Sequence, residues 1–368
     1  MVQLIPFFTF IAMPVLADAD NTPGEEGNGN VPHAASPTSA RLYRTNEERR
    51  EAGLKRHITP WLTVSGLAEG EYIYNDYDVK KGKAGDSGRD RAANLQLGFV
   101  ASPNEFFSAE LITEFDTESN KAVIDEAYIA FEMSDWELSL GKMFTPFGTF
   151  FSSFVSSPIL EFGETQANEV AMLTYGPSDD LEVSLAAYRG RAVWQGGGDN
   201  EWSWALGSEV WLNQDWSFGL SYQSDLLDSS GRILAEYNDR YVEQVAGVSG
   251  FLLWAGDMFE ISLEALGATG RIRELDRDRN RPWAWNVELL HFRMDANYEI
   301  AFRVEGSEEL EDEPKFQYGA AITWRTAKHA SLTLEYLHGE FDGTLATTDE
   351  DIPYSDVSRF GAILSVIF

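Results

Sequence analysis

Glutamates at even spacing are the side chains of this sequence with the clearest chemical potential. They come as the pairs Glu69 and Glu71, Glu110 and Glu114, Glu260 and Glu264, and Glu299 and Glu305. General acid–base catalysis or glycoside hydrolysis needs one defined pair of carboxyl groups. Here acidic residues recur in nearly every segment, and no G-x-S-x-G, H-E-x-x-H or phosphate-binding glycine loop is present. The pattern indicates an acidic polar surface, so we expect no enzyme, no cofactor and no metal site.

The composition excludes some classes of function. The 368 residues carry a formal net charge of -32 and include no cysteine, so disulfides and thiolate metal sites are impossible. A pI of about 4.4 leaves no basic face for phosphates, and we expect no nucleic-acid partner. Aromatic residues reach 13%, while the mean hydropathy is only -0.28. This combination suits a structure that turns aromatic side chains outward and polar groups inward.

Alternation of apolar and polar residues begins at about residue 60 and continues to the C-terminus. In "WSFGLSYQ" (residues 216–223) and "SLTLEY" (residues 331–336), every second residue is large and apolar, and the residues between are small or polar. A period of two is that of a β-strand with one apolar and one polar face. A soluble sandwich would show the same period, so the spacing of the turns must distinguish the two architectures.

Short and long connections alternate along the chain. Tight turns near residues 103, 135, 178, 214, 256, 296 and 328 are separated by longer charged or glycine-rich connections, of which only residues 116–121 are short. Outer-membrane barrels have short turns at the periplasmic rim and longer outer loops. The sequence therefore predicts an all-β fold, a transmembrane antiparallel β-barrel of about 16 strands that is porin-like. We expect the protein to be located in the bacterial outer membrane.

The predicted domains are three. Residues 1–19 read as a signal peptide, with an apolar run followed by Ala17-Asp18-Ala19. Residues 20–59 read as a periplasmic linker, in which residues 45–57 form either a short polar helix or more solvated linker. Residues 60–368 form the barrel.

Aromatic residues near the short turns predict a girdle at one rim of the barrel. They are Phe106, Phe107, Trp136, Trp211, Trp216, Trp254, Phe259, Phe292, Tyr298 and Trp324. The last strand, "SRFGAILSVIF", ends on Phe368, which resembles the C-terminal signal of outer-membrane barrels. We expect membrane lipid and lipopolysaccharide to surround the barrel, and the barrel assembly machinery to bind this strand.

Inward-facing charges define the predicted lumen. The acidic ones are Glu110, Glu114, Glu260, Glu264, Glu299 and Glu335, and the basic ones are Arg303, Arg325 and Arg359. Opposed acidic and basic walls would set up a transverse field across a pore. Simple charge compensation explains the same residues, and the sequence leaves both interpretations open.

The connection at residues 145–165 is apolar in an acidic chain and carries no charge before Glu161. It is the third outer loop, which in sixteen-stranded porins folds into the barrel and narrows it. We predict that it does so here and contacts the substrate. The predicted site residues are Phe144, Pro146, Phe147, Gly148, Phe150, Phe151, Phe154 and Pro158, with Glu161 and Glu164 facing the channel. A loop over the barrel mouth, or at an oligomer interface, is the alternative.

The segment "GKMFTPFGTFFSSFVSSPILEFGET" (residues 141–165) resembles the signature of LbtU-type siderophore porins, a porin-like outer-membrane family that includes a legiobactin receptor. The residues of the resemblance are Gly141, Pro146, Phe147, Gly148, Pro158, Leu160, Gly163, Glu164 and Thr165. It implies uptake of a ferric siderophore without a plug, since plugged receptors need about twenty-two strands. The alternatives are a non-specific or cation-preferring diffusion porin for small hydrophilic solutes and, more remotely, a barrel enzyme.

Overall fold

The computed structural model describes most of the chain from residue 56 onward. The described ranges are 56–79, 86–117, 121–196, 201–213, 215–229, 231, 233–234, 237–293, 296–327, 329–342, 346–347 and 352–368. The predicted signal peptide and nearly all of the predicted linker lie outside them. At the end of that linker, Arg56–Thr59 forms strand β1 and pairs with the start of β2, so residues 56 and 57 are extended rather than helical.

Sixteen long strands make up the barrel. They are β2 (Leu62–Val79), β3 (Asp86–Asn104), β4 (Phe107–Asp116), β5 (Lys121–Met133), β6 (Trp136–Phe144), β7 (Gln166–Ser178), β8 (Leu181–Arg189), β10 (Trp202–Trp211), β11 (Trp216–Gln223), β13 (Gly247–Ala255), β14 (Phe259–Ala268), β15 (Trp283–Phe292), β16 (Tyr298–Glu308), β17 (Phe316–Ala327), β18 (Ala330–Glu340) and β19 (Tyr354–Ile367). Shorter elements in the connections are β9 (Val193–Trp194), β12 (Arg240–Tyr241) and the 3-10 helices Ile159–Gly163 and Leu226–Asp228. In the described ranges, no helix has the length and apolarity needed to cross a membrane.

The barrel is closed. Each long strand pairs antiparallel with the next, and β19 pairs with β2. At the seam, the backbone N–H of Phe368 donates to Gly66 O at 3.0 Å, and Gly66 N donates to Phe368 O at 2.9 Å. Closure leaves no sheet edge with unpaired backbone groups, which a membrane-spanning sheet requires. The predicted fold, an antiparallel barrel of 16 strands, is confirmed.

Side chains alternate across the barrel wall as the sequence pattern predicted. On β14, Phe259 and Leu263 are exposed on the outer surface, whereas Glu260 and Glu264 are buried inside. Successive residues of a strand point to opposite faces, so this one strand contributes apolar groups to the outside and carboxylates to the inside. The outer surface is therefore apolar and the inner surface carries the charges, which is the reverse of a soluble barrel.

Most of the predicted aromatic girdle lies on the outer surface near the short turns. Trp136 stacks on Tyr175 with ring centroids 4.2 Å apart, and Phe106 is 61% exposed. Phe292 does not belong to the girdle, because it points inward and is buried against Phe154 of the long β6–β7 connection. Phe292 lies two residues after Leu290 on β15, so both side chains point into the barrel.

Candidate functional site

The connection between β6 and β7, residues 145–165, lies against the inner face of the barrel, and we call it the inner loop. Its two ends are joined by the hydrogen bond from Thr145 N to Thr165 O, 2.9 Å long. Between these ends the chain follows the inner wall from β11 to β18. Gly148 N donates to Ser221 Oγ of β11 at 3.1 Å, and Val155 N donates to Glu335 Oε2 of β18 at 2.7 Å.

Phenylalanines of the inner loop are buried against the barrel. Phe147 and Phe150 are 1% and 2% exposed and lie in an apolar cluster with Leu160, Phe162 and residues of the barrel wall and outer loops. Burial of a phenylalanine side chain contributes about 1.5–3 kcal/mol. Phe154 forms a second cluster with Leu290, Phe292, Ala301, Ala321 and Leu337. Phe151 is half-buried and meets Phe251 edge to face, with centroids 6.1 Å apart. Phe144 and Pro146 are buried where the loop leaves β6.

Gly148 makes the sharp turn that brings Phe147 and Phe150 to the same cluster. Its φ is +80°, in the left-handed region that favours glycine. A Cβ placed there would lie 2.3 Å from Cζ of Phe150. Any side chain at this position would have to displace that ring.

Glu264 on β14 is the best-defined anchor of the inner loop. Its carboxylate accepts from Thr149 N at 2.7 Å, Thr149 Oγ1 at 2.9 Å and Phe150 N at 2.9 Å. Ser249 Oγ of β13 donates to the same group at 3.2 Å. The backbone N–H groups of an irregular loop have no hydrogen-bond partners in a helix or sheet. Here the carboxylate of Glu264 accepts hydrogen bonds from two of them.

Three further wall glutamates bind the loop backbone in the same way. Glu288 of β15 accepts from Ser153 N at 2.8 Å, and Glu305 of β16 accepts from Ile159 N at 2.8 Å. Glu335 of β18 accepts from Val155 N, Ser156 N and Ser156 Oγ. Glu264 and Glu335 were predicted as lumen charges, but the structure uses them to hold the loop. Glu288 was not among the predicted lumen residues, although its position in the alternating "WAWNVELL" (residues 283–290) marks it as inward.

Arg303 is buried beneath the inner loop and does not line an open pore. It is 0% exposed, and its guanidinium lies 3.4 Å from Glu288 and 3.5 Å from Glu305. It also donates to Ser156 O at 2.9 Å and to Ser152 Oγ, and lies 4.2 Å above the centre of the Phe154 ring. Of the two interpretations that the sequence left open for Arg303, a basic pore wall and charge compensation, its burial beside two carboxylates agrees with charge compensation. The loop covers it, and its charge is compensated by two buried carboxylates.

The two glutamates at the end of the inner loop are also buried rather than open to the channel. Glu161 is 1% exposed and Glu164 is 5% exposed. Glu161 lies in the 3-10 helix Ile159–Gly163, whose five residues are all buried. Burial raises the pKa of Glu161 to about 8, and Ser157 and Arg303 only partly oppose this rise. The expectation that these carboxylates face the channel is wrong, because the turn of helix seats them in the packed part of the loop.

The other predicted lumen residues are spread over the inner wall. Glu110 accepts from Tyr128 Oη at 2.9 Å, and Glu114 accepts from Asn94 Nδ2 at 2.6 Å. Glu260 and Glu299 are buried and Arg325 is half-buried. None of these five is among the residues that line the cavity beside the inner loop. They are wall residues, and the structure does not bring them together as one site.

A cavity of about 260 Å³ remains between the inner loop and the opposite wall. The wall side is formed by Glu71, Ile73 and Asn75 of β2, Asp90 of β3 and Arg359 of β19. The loop side is formed by residues 155–159 and Phe162. Leu310, Glu311 and Glu313 close it from the β16–β17 connection, and Gln317 adds an amide.

The side chains that line this cavity are predominantly acidic. Its lining carries the four carboxyl groups of Glu71, Asp90, Glu311 and Glu313 and the one guanidinium of Arg359. Arg359 Nε donates to Asn75 Oδ1 at 2.8 Å, which fixes the guanidinium on the wall. Burial raises the pKa of Glu313 to about 7, while Arg359 acts in the opposite direction. Sequence reasoning named Glu71 and Arg359 from strand parity, but missed Glu311 and Glu313 because they lie in a connection without periodicity.

Solved porins share this fold. A mutant porin of Rh. blastica matches with a TM-score of 0.52 and 11% identity, over 83% of this chain and 100% of that chain. A triple mutant of the Rhodopseudomonas blastica porin matches with a TM-score of 0.51 and 12% identity, over the same shares of the two chains. A structure described as "Asymmetric conductivity of engineered proteins" matches with a TM-score of 0.52 and 11% identity, over 83% of this chain and 100% of that chain. At such identities the likeness concerns the fold.

No family model matches the chain, and neither does any curated protein. The resemblance to LbtU-type siderophore porins therefore stays a prediction that rests on residues 141–165.

Proposed function

We propose that this chain is a porin-like channel of the bacterial outer membrane, which passes small hydrophilic solutes and favours cations. The observation that carries the proposal is the acidic cavity left between the inner loop and the wall formed by β19, β2 and β3. The apolar outer surface and the polar inner surface support a barrel that is embedded in a membrane. The porin fold of the solved structures supports the same class of function.

Cation preference follows from the charges that line the cavity. Four carboxyl groups against one guanidinium leave the lining negative even if Glu313 is partly protonated near neutral pH. A negative ring at a constriction raises the local concentration of cations and repels anions. Because dissolved salt screens these charges, the preference decreases as the ionic strength rises.

Ferric siderophore uptake is the second candidate. It is supported by the resemblance of residues 141–165 to the siderophore porins, and by the tight seating of this segment inside the barrel. The acidic cavity counts against anionic carboxylate siderophores. A barrel enzyme has the least support, because the wall glutamates nearest the inner loop are engaged in binding it.

Reconstitution in planar bilayers tests the channel. In a KCl gradient we expect a reversal potential whose sign shows that K⁺ crosses more easily than Cl⁻. Its magnitude should decrease as the total salt concentration rises. The double substitution Glu71→Gln with Asp90→Asn should weaken the preference. Asp76→Asn, which removes a charge from the exposed face of β2, is the matched control and should leave it unchanged. Anion preference in the unmodified protein, or no conductance from a folded barrel, would refute the proposal.

Two further measurements separate the candidates. Deletion of residues 149–157 should leave a heat-modifiable barrel with a larger single-channel conductance, since the inner loop no longer fills part of the lumen. Swelling of liposomes in neutral sugars, compared with binding of a ferric siderophore, then distinguishes a diffusion porin from a siderophore receptor. Saturable siderophore binding without sugar permeation would favour the second candidate.

A further inference from the structure

The charges of the cavity are separated across the wall that β19, β2 and β3 form. In the wall, Arg359 pairs with Asn75, and Asp90 pairs with Ile73. Arg359 and Asp90 therefore lie on the two sides of β2, about 7 Å apart along the strands and about 10 Å apart across them, so their Cα atoms are about 12 Å apart. Glu71 lies two residues before Ile73 and is a diagonal neighbour of Asp90 on the same face. The wall thus carries its guanidinium on one side of β2 and the carboxylate of Asp90 on the other.

A second acidic group lies beside the guanidinium. Glu313, in the β16–β17 connection, lines the same cavity and interacts electrostatically with Arg359. A cation and an anion are therefore both available beside Arg359. The carboxylates of Glu71 and Asp90 have no cation beside them among the residues that line the cavity.

Apolar side chains also line the cavity. On the wall, Ile73 of β2 lies between the strands that carry Arg359 and Asp90, and the inner loop contributes Ile159 and Phe162 from the opposite side. Leu310 adds to this apolar lining from the β16–β17 connection. A solute in the cavity thus meets charges of both signs and hydrocarbon.

We propose that this cavity selects small α-amino acids with a basic side chain. The α-carboxylate would bind the guanidinium of Arg359, which matches a carboxylate with two parallel donors. The α-ammonium would lie at Glu313, and the side-chain cation at Glu71 and Asp90. An extended stem of three or four methylenes, with one hydrogen bond at each end, suits the separation of Arg359 and Asp90 and the apolar lining of the cavity.

The size of the cavity agrees with this class. At about 260 Å³ it is near the lower limit of ordinary ligand pockets, which is about 300 Å³. The inference rests on the proposed channel function and adds the chemical class of the solute.

Uptake of labelled solutes into proteoliposomes tests the inference. Lysine is compared with norleucine, which has a similar stem but no side-chain charge, and with cadaverine, which has both ammonium groups but no carboxylate. We expect faster uptake of lysine than of either, by about fivefold, which corresponds to about 1 kcal/mol. Glu71→Gln with Asp90→Asn should bring lysine down to the rate of norleucine. Arg359→Gln should remove the advantage of lysine over cadaverine.

The controls separate this inference from the channel itself. Asp76→Asn should leave all three rates unchanged, and KCl conductance in the same preparations reports an open channel. A conducting, cation-preferring channel that takes up lysine and norleucine equally would overturn the inference and leave the channel proposal standing. Equal uptake of lysine and cadaverine would also overturn it, because the cavity would then recognise only positive charge. Absence of KCl conductance would overturn both.

Discussion

Loss of the Glu264 carboxylate should release the first half of the inner loop. Three of its four hydrogen bonds come from the loop, at 2.7–2.9 Å, from the backbone and hydroxyl of Thr149 and the backbone of Phe150. Hydrogen bonds to a charged acceptor contribute about 1.5–3 kcal/mol each when their donors stay buried without a partner. The freed donors here can meet water in the lumen, which reduces the loss to about 1 kcal/mol each.

The expected effect of Glu264→Ala is therefore about 3 kcal/mol on docking of this part of the loop. Such a change shifts the ratio of docked to released loop by more than 100-fold. Glu264→Gln should have a smaller effect, because the amide retains one acceptor oxygen but presents its NH₂ group to loop donors. The open-channel current of Glu264→Ala should be larger and noisier than that of the unmodified protein, with Glu264→Gln between them.

Glu110→Ala is the matched control for this experiment. Glu110 is also an inward glutamate, but it lies on β4 and its carboxylate accepts from Tyr128 of the neighbouring strand β5. Heat-modifiability in detergent gels should show that all three variants fold. Glu110→Ala should conduct like the unmodified protein. If folded Glu264→Ala does so as well, the carboxylate of Glu264 is not what holds the loop, and the prediction is wrong.

The remaining predictions concern pH, backbone geometry and barrel closure. Because burial raises the pKa of Glu161 from 4.5 to about 8, the docked loop favours the neutral acid. Docking should be strongest below about pH 4.5 and weaken as the pH rises to 8, so conductance should rise over this window in the unmodified protein. The rise should be smaller in Glu161→Gln, in which only the other groups, such as Glu313, still titrate; an equal rise in both would contradict the role of Glu161. Gly148→Ala should raise the open-channel current without preventing folding, because φ is +80° and the new Cβ would meet the ring of Phe150 at 2.3 Å; an unchanged current would show that the turn adjusts freely. Removal of Phe368 eliminates two backbone hydrogen bonds to Gly66 at the seam and should lower the temperature of heat modification by several degrees, whereas an unaltered transition would contradict a role in closure.

Local pattern was sufficient to predict the barrel. Strand alternation has a period of two whatever the partner strand is, and turn chemistry is confined to a few neighbouring residues. Alternating short and long connections then fix which end of each strand lies at which rim. These local rules predicted the number of strands and their antiparallel order, which agree with the structure. They also predicted that the side chains of Glu264 and Arg359 point into the barrel, as they do.

The irregular segment was predicted less completely. Its lack of charge and its phenylalanines led to the prediction of an inward fold, and Gly148 to that of a sharp turn. Whether a carboxylate of this segment is open or buried depends on what packs around it. Glu161 was expected in the channel, but the chain packs it beneath the loop surface.

Only the tertiary structure decided which charges remain available to a solute. Thr149 and Glu264 are 115 residues apart in sequence, and Val155 and Glu335 are 180 apart, so no local pattern could pair them. The structure uses Glu264, Glu288, Glu305 and Glu335 to satisfy loop amides, and leaves Glu71 and Arg359 on the wall of the cavity. All six have the same inward parity in the sequence. Their roles differ because the loop lies along the inner face of strands β11 to β18 and leaves the face of β19, β2 and β3 uncovered.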